Sequence, residues 1–451
     1  MDRRDNPDSK IIYIAAAILI FSVLAFGTVE IWSIALMEGS VFTLILLWLI
    51  TSKKDPPIPM RKEERYMIFT LVIFLIYIFI QMIPFPQAIL RYLSPRSFDI
   101  YSFFTLEERL KMSISINAYN TGSEFLRIVA YSLFFLLLSF SIKDMAVLQR
   151  MMKILTFFGF VLAIFAILQK ATWDGKLYWV REITVGSPFG PFVNRNHYAG
   201  LIDMIIPLSL GLVFTIKDRE KQILYGFFSL VMGISIFLSL SRGGIISFFA
   251  GVAVFAIFLS WEKFSRQKRW VILLSFVFAL FSYLIYLGVD PIIDRFYETD
   301  LTRAQRFTVW LGALNAFKDF YITGSGLGTF INIFPLYALK DMGVIYDHAH
   351  SDYLEFILEA GIVGTVLLLL FLFFFVRCII RGKWLWETGI IRMSIVSSIT
   401  TMVVHSIFDF NLHIPSNALT LSAIFGMAVA SSRMGHHRSP DLSTIKADKN
   451  S

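Results

Sequence analysis

Two histidines and an aspartate, His348, His350 and Asp352, open the run HAHSDYLEFILEAGIVG (348–364), immediately ahead of a long apolar stretch. Imidazole gains and loses a proton near neutral pH, so a histidine at a loop end is a candidate general base. Asp352 and Glu355 stand three apart with apolar residues behind them, a variant of the signature that opens a helix. The spacing predicts a helix starting at Ser351 or Asp352, with His350 just outside it. A helix N-terminus carries partial positive charge and unpaired N–H groups. That field favours the uncharged imidazole, the form able to accept a proton. The same residues admit plainer readings, a structural loop histidine or a metal pair completed by Asp347 or Asp352. His-x-His alone is a weak metal signature and no third histidine lies nearby in sequence, so no metal and no cofactor are expected.

Candidate anion-binding groups lie elsewhere. Arg242, within SRGG (241–244), interrupts nearly continuous apolar sequence from 223 to 259. An arginine so placed either snorkels to lipid phosphates or holds a phosphate group of a substrate. Arg303 and Arg306 begin RAQRFTVWLGALNAFKDF (303–320), where Phe307, Trp310, Leu311, Leu314 and Phe317 share one helical face. This reads as an amphipathic helix on the membrane surface, whose arginines meet anionic lipid or substrate. In FGPFVNRNHYAG (189–200), Asn194, Arg195, Asn196 and His197 either bind sugar hydroxyls or cap a helix. His405 and Asp409 stand four apart near the end of a span, as supporting groups or as a pair satisfying each other. The glycines of GSGLGTF (324–330) read as a turn, since neither the strand nor the helix of a dinucleotide loop flanks them.

The elements that must position these residues follow from composition. Of 451 residues, 56% are hydrophobic and 16% charged, and the mean hydropathy is +0.67. A soluble domain carries roughly 25% charge; an all-α polytopic membrane protein is the class that fits. The net charge of +8 is dispersed among loops, which argues for the positive-inside pattern and against nucleic acid. One cysteine, Cys378, excludes an internal disulfide and Cys-ligated zinc. The first 27 residues resemble a signal peptide, but further spans follow without a small-residue cleavage site, so an uncleaved first span is expected.

Apolar runs near 11–28, 30–50, 66–85, 124–142, 152–171, 197–216, 222–241, 243–260, 270–288, 358–378, 389–410 and 414–431 predict about twelve transmembrane helices. With both termini inside, the short inside segments hold 26 of the 41 lysines and arginines, as the positive-inside rule requires. The long segments 86–123, 172–196 and 289–351 then lie outside, the last between spans nine and ten. No inside stretch is long enough for a nucleotide-binding domain, and no Walker motif occurs. Chemistry outside the membrane, without ATP, needs an energy-rich substrate. We divide the chain into N-terminal helices (1–184), a candidate catalytic region (185–432) that includes the outside loop 289–351, and a polar, disordered inside tail (433–451).

The stretch His350-Ser351, nine residues, then Gly361-x-x-Gly364 resembles the histidine motif of bacterial O-antigen ligases and related protein O-oligosaccharyltransferases. Arg242 in SRGG, Arg306 in RFTVW and the NRNH stretch resemble other landmarks of that superfamily, whose O-antigen polymerases share part of the layout. The resemblance spans roughly 185–430. It implies a GT-C-like membrane enzyme and a metal-independent, inverting glycan transfer at the periplasmic face of the bacterial inner membrane. The donor it implies is a glycan on undecaprenyl pyrophosphate; the acceptor, in ligases, is a sugar hydroxyl of lipid A–core. By motif, His350 would take the acceptor proton while Arg242 and Arg306 bind the pyrophosphate. Polymerase and protein O-glycosylation readings share this donor chemistry. A lipid or polysaccharide transporter is the reading from another class, but it calls for ionisable groups deep in several spans.

Overall fold

The computed structural model describes residues 7–52, 59–104, 111–184, 186–261, 301–339, 345–382 and 386–434. The long apolar runs become helices because lipid offers the backbone no hydrogen-bonding partner, so each span must pair its own N–H and C=O groups. In chain order these are α1 (Pro7–Leu24), α2 (Ile31–Thr51), α3 (Lys62–Met82), short α4 (Gln87–Leu93) and α5 (Pro95–Phe104), α6 (Ala118–Ser141) and α7 (Met145–Ala171). Then come α8 (Arg195–Thr215), α9 (Arg219–Ser239), α10 (Arg242–Trp261), α11 (Leu301–Phe320), α12 (Phe330–Ile333), α13 (Asp352–Ile380), α14 (Trp386–His405) and α15 (Pro415–Arg433). Sheet is confined, among the described residues, to two short antiparallel pairs, β1 (Pro84–Pro86) with β2 (Lys111–Ser113) and β3 (Lys176–Leu177) with β4 (Arg181–Glu182).

Nine of the described helices are long and apolar enough to cross a membrane, and α1 contributes a shorter apolar stretch, Lys10–Leu24. Eleven of the twelve runs expected from sequence coincide with helices; the run at 270–288 lies outside the described residues. Helix α15 does not reach the apolarity of those nine, and the reason is its place. Nearly every residue from Pro415 to Ser432 is buried against other helices, so Asn417, Thr420, Ser422 and Ser431 face protein instead of lipid. The tail expected to be disordered falls, beyond Met434, outside the described residues.

Helix α8 is the hub on the site side. It packs on α9, α10 and α14, and almost all of it is buried. Helix α13 lies along α3 and is broken at Gly361, whose φ of +63° and ψ of −172° belong to a region open essentially only to glycine. The GSGLGTF segment fills that break. Ser325 N donates to Leu358 O (3.1 Å), Gly326 N to Glu359 O (3.0 Å), and Ile362 N to Tyr321 O (2.8 Å). Tyr77 Oη of α3 donates to both Thr323 O (2.7 Å) and Ala360 O (2.8 Å). The segment is therefore a turn, as expected, and one built to satisfy an interrupted helix backbone. Gly364 packs against the Tyr77 ring: a Cβ there would lie 3.0 Å from Cε1.

Helix α11 packs on the protein through a face other than its bulky apolar one. Val309, Ala313, Ala316 and Phe320 enter a small core with Phe330, Phe334, Ala349 and Leu358. Phe307, Leu311 and Leu314 remain exposed, Phe307 by 62%. The smaller side chains permit close helix packing, and the bulkier apolar face is left outward.

Candidate active site

The sequence landmarks meet at one end of the bundle. Asn194 ends the loop before α8 and its side chain accepts from Asn196 N (2.9 Å), so this residue is a helix cap. Asn196 is held on both sides. Its Oδ1 accepts from Ser241 Oγ (2.8 Å), and its Nδ2 donates to Asp409 Oδ2. Ser241 in turn caps α10, its Oγ accepting from Gly244 N (3.2 Å), which sets Arg242 in the first turn of that helix. The preceding Leu240 takes the left-handed conformation (φ +56°) that ends α9. The NRNH and SRGG motifs are thus parts of one hydrogen-bonded corner.

This corner faces a cavity of about 700 Å³, lined by Arg195, Arg242, Arg306, Trp310, His405 and Asp409 among others. Arg306 crosses from α11, with Nη1 donating to Phe408 O (3.3 Å). The cavity therefore gathers three guanidiniums from three separate chain segments, a set suited to an anion with several oxygens. Nothing is described of the Arg303 side chain, although its backbone lies in α11.

His350 lies beside the cavity, not in its wall. Its Nδ1 is 3.4 Å from Asp409 Oδ1, and Asp409 is a wall residue. A carboxylate at Nδ1 places the ring hydrogen there and leaves Nε2 as acceptor, the arrangement of a general base. Burial alone would raise the Asp409 carboxyl. The hydrogen bond from His350 and the nearby His197, His350 and Arg306 charges instead hold it well below the usual carboxylate range. The helix starts at Asp352 as the spacing predicts, with Ser351 at its cap, and His350 adopts φ +51° just before it. Ser351 makes no side-chain cap hydrogen bond. Glu355 reaches past it and accepts from Ala349 N (2.8 Å).

Of the two readings of His405 and Asp409, the mutual pairing is corrected by the fold. The two are joined only through the backbone, Asp409 N to His405 O (3.2 Å). His405 Nδ1 lies 3.4 Å from Asp203 Oδ2 on α8, while Asp409 serves Asn196 and His350. Different neighbours surround the two side chains where the helix unwinds after His405, and each takes the partner within reach. His197 packs close by, and its Nε2 has no hydrogen-bond partner among the described residues. It is buried beneath the site with its ring edge-on to Phe410 at 4.8 Å, and its carbonyl accepts from Asn417 Nδ2 (2.9 Å).

His348 belongs to a second cluster. Its Nδ1 is 2.8 Å from Glu355 Oε1, and its ring stacks on Phe410 at 4.3 Å. His413, a residue not singled out from sequence, places Nδ1 3.0 Å from Asp352 Oδ1 and Nε2 3.2 Å from Glu355 Oε1. The carboxylate of Asp352 also accepts from Leu412 N (3.2 Å). His348, Glu355 and His413 bring donor atoms within 4.8 Å of one another and are a possible metal-binding group. The third histidine, absent from the local sequence, arrives from the turn between α14 and α15. Their mutual spacings are those of hydrogen bonds between imidazole and carboxylate. Burial would lower the His413 ring, but the Glu355 and Asp352 carboxylates hold it well above the ordinary histidine value. The signal that could have found it is HSIFDFNLHIP (405–415), a turn dense in polar groups between two apolar helices. Asp203, an ionisable group inside an apolar span, carried a similar signal.

A bundle of apolar helices that opens at one end into an arginine-lined cavity beside a His–Asp pair defines a polytopic membrane protein with a candidate site at that end. Residues 227–369 match the family model described as O-antigen ligase, so this region of the chain is similar to that family. No curated protein matches the chain. The matched span contains Arg242, Arg306, His350, Gly361 and Gly364, while the NRNH stretch (194–197) lies ahead of it.

Proposed function

We propose that this protein transfers a glycan from an undecaprenyl-pyrophosphate-linked donor to a sugar hydroxyl at the periplasmic face of the inner membrane, in the manner of an O-antigen ligase with lipid A–core as acceptor. The observation that carries the reading is the convergence of Arg195, Arg242 and Arg306 on one cavity whose wall residue Asp409 also braces His350. The acceptor hydroxyl gives its proton to His350 Nε2 as its oxygen bonds to the anomeric carbon of the donor. The bond from that carbon to the phosphate oxygen breaks, and its electron pair leaves on the pyrophosphate. Fixed guanidiniums stabilise this charge as it develops. Attack opposite the leaving group inverts the anomeric centre. The positive charge comes from arginine, so the reaction in this reading requires no metal, and activity should survive EDTA.

The test is surface-glycan analysis of a deletion strain complemented with wild type or His350→Ala. Loss of long-chain glycan from lipid A–core, with polymerised lipid-linked glycan accumulating, is the expected result. Accumulation of single repeat units would make the protein a polymerase. An unaltered lipid A–core with loss of glycan from proteins would redirect the acceptor to Ser or Thr.

A further inference from the structure

His405 is wholly buried and lines the arginine cavity. Its Nδ1 stands 3.4 Å from both Asp203 Oδ2 and Ser247 Oγ, and Ser247 Oγ donates to the same Asp203 oxygen at 2.5 Å. The other ring nitrogen, Nε2, has no hydrogen-bond partner. A buried polar atom left unpaired is costly and rare in native proteins, and in a cavity wall it points to a ligand. Above that ring edge sits Gly243, also a wall residue: a Cβ there would come within 3.1 Å of both Nε2 and Cδ2. Glycine next to Arg242 therefore keeps this ring edge free of a neighbouring side chain at that position.

We propose that His405 is a phosphate-binding residue of the donor site: its Nδ1–H donates to Asp203, and the doubly protonated ring offers Nε2–H to a pyrophosphate oxygen lying between Arg242 and Gly243. This rests on the reading of the cavity as a pyrophosphate site and adds a neighbour to the arginines. The Asp203 carboxylate orients the ring and offsets its charge, as second-layer carboxylates do for histidines that bind anions or metals. Arg242 and Arg306 supply the charge; His405 fixes the depth and orientation of the phosphate beneath the first turn of α10, whose N-terminal dipole also favours an anion.

The test is titration of the detergent-purified full chain with inorganic pyrophosphate, by calorimetry, for wild type and five variants. His405→Ala should weaken binding roughly tenfold, the effect of one charge-assisted hydrogen bond. His405→Gln, which keeps an N–H near the Nε2 position, should recover most of it. Gly243→Ala leaves His405 and Asp203 in place but covers Nε2, and should weaken binding to a similar degree. Unchanged affinity in both His405→Ala and Gly243→Ala would overturn the inference. Arg242→Ala and Arg306→Ala separate it from the reading beneath it. If they lose pyrophosphate binding while the His405 and Gly243 variants keep it, His405 alone is wrong. If the arginine variants bind normally, the pyrophosphate site itself is wrong.

Discussion

At His350 the backbone is held at φ +51°, a conformation that costs a residue with a side chain about 1–3 kcal/mol. It persists because its surroundings fix both sides of it. Trp310 Nε1 donates to Ala349 O (3.0 Å), Ala349 N donates to Glu355, and Asp409 meets the ring. Strain kept in this way beside a cavity is a feature of sites that need a group aimed. Two substitutions separate aim from stability. His350→Ala should abolish transfer, by a factor of about 10²–10⁴ or more if the ring is the base, with the protein still inserted and folded. His350→Gly loses the same ring but removes the backbone strain, so it should be more thermally stable than the alanine variant while remaining as inactive. Retained transfer by either would remove His350 as base. Replacing Arg242 or Arg306 by Lys should also impair transfer, because an ammonium cannot grip two phosphate oxygens as a planar fork does; normal rates in both lysine variants would end the clamp idea.

At the scale of elements, the break in α13 decides where the histidine segment sits. A continuous helix would carry residues 352–360 on along the axis of the remainder. Gly361 turns them aside, and the carbonyls freed at Leu358, Glu359 and Ala360 are taken up by Ser325, Gly326 and Tyr77. A Cβ at Gly361 would stand 2.4 Å from Ile322 O, a backbone atom that cannot move aside cheaply. Gly361→Ala therefore adds a clash to roughly 1–3 kcal/mol of backbone strain, and should lower the yield and melting temperature of the purified protein. Tyr77→Phe is the gentler probe. It leaves the Ala360 carbonyl short of a buried donor, a loss of about 1–3 kcal/mol, while Thr323 O keeps Gln81 Nε2 (2.8 Å), and a melting curve superimposable on wild type would show that the hydroxyl does not stitch the break.

The molecule as a whole carries ionic clusters at both ends. Away from the cavity, Glu64 of α3 accepts from Arg433 of α15 (3.1 Å) and pairs with Arg61, while Arg381 reaches Glu63. At the site end, His413 and Asp409 make stability depend on pH in opposite senses. His413 is raised in the folded state, so its contribution is complete below the ordinary histidine value of about 6.5 and is lost as pH rises through the higher folded value. Asp409 is depressed, so its contribution is complete above about 3.9 and is lost as pH falls through the lower folded value. Melting temperature should therefore be highest between these limits. His413→Gln should flatten the alkaline fall and Asp409→Asn the acidic one; curves parallel to wild type would assign the pH dependence to other groups.

The sequence by itself determined what short-range physics controls. Hydropathy over about twenty residues set the spans, the Asp352–Glu355 spacing set a helix start, and closely spaced glycines set a turn; α13 begins at Asp352 and GSGLGTF is a turn. Arg242, Arg306, Asn196 and His350 were legible as candidates because polar groups between apolar runs are few. Their mutual arrangement was not. Asn196 joins Ser241 to Asp409, His413 closes on Glu355, and His405 turns from Asp409 to Asp203 only when α8, α10 and α14 pack. Hydropathy reports how apolar a helix is, not which face meets which neighbour; that depends on side-chain fit between helices far apart in the chain. Likewise only the structure shows that α11 meets the protein through Val309, Ala313 and Ala316, with Phe307, Leu311 and Leu314 of its bulky apolar face left outside.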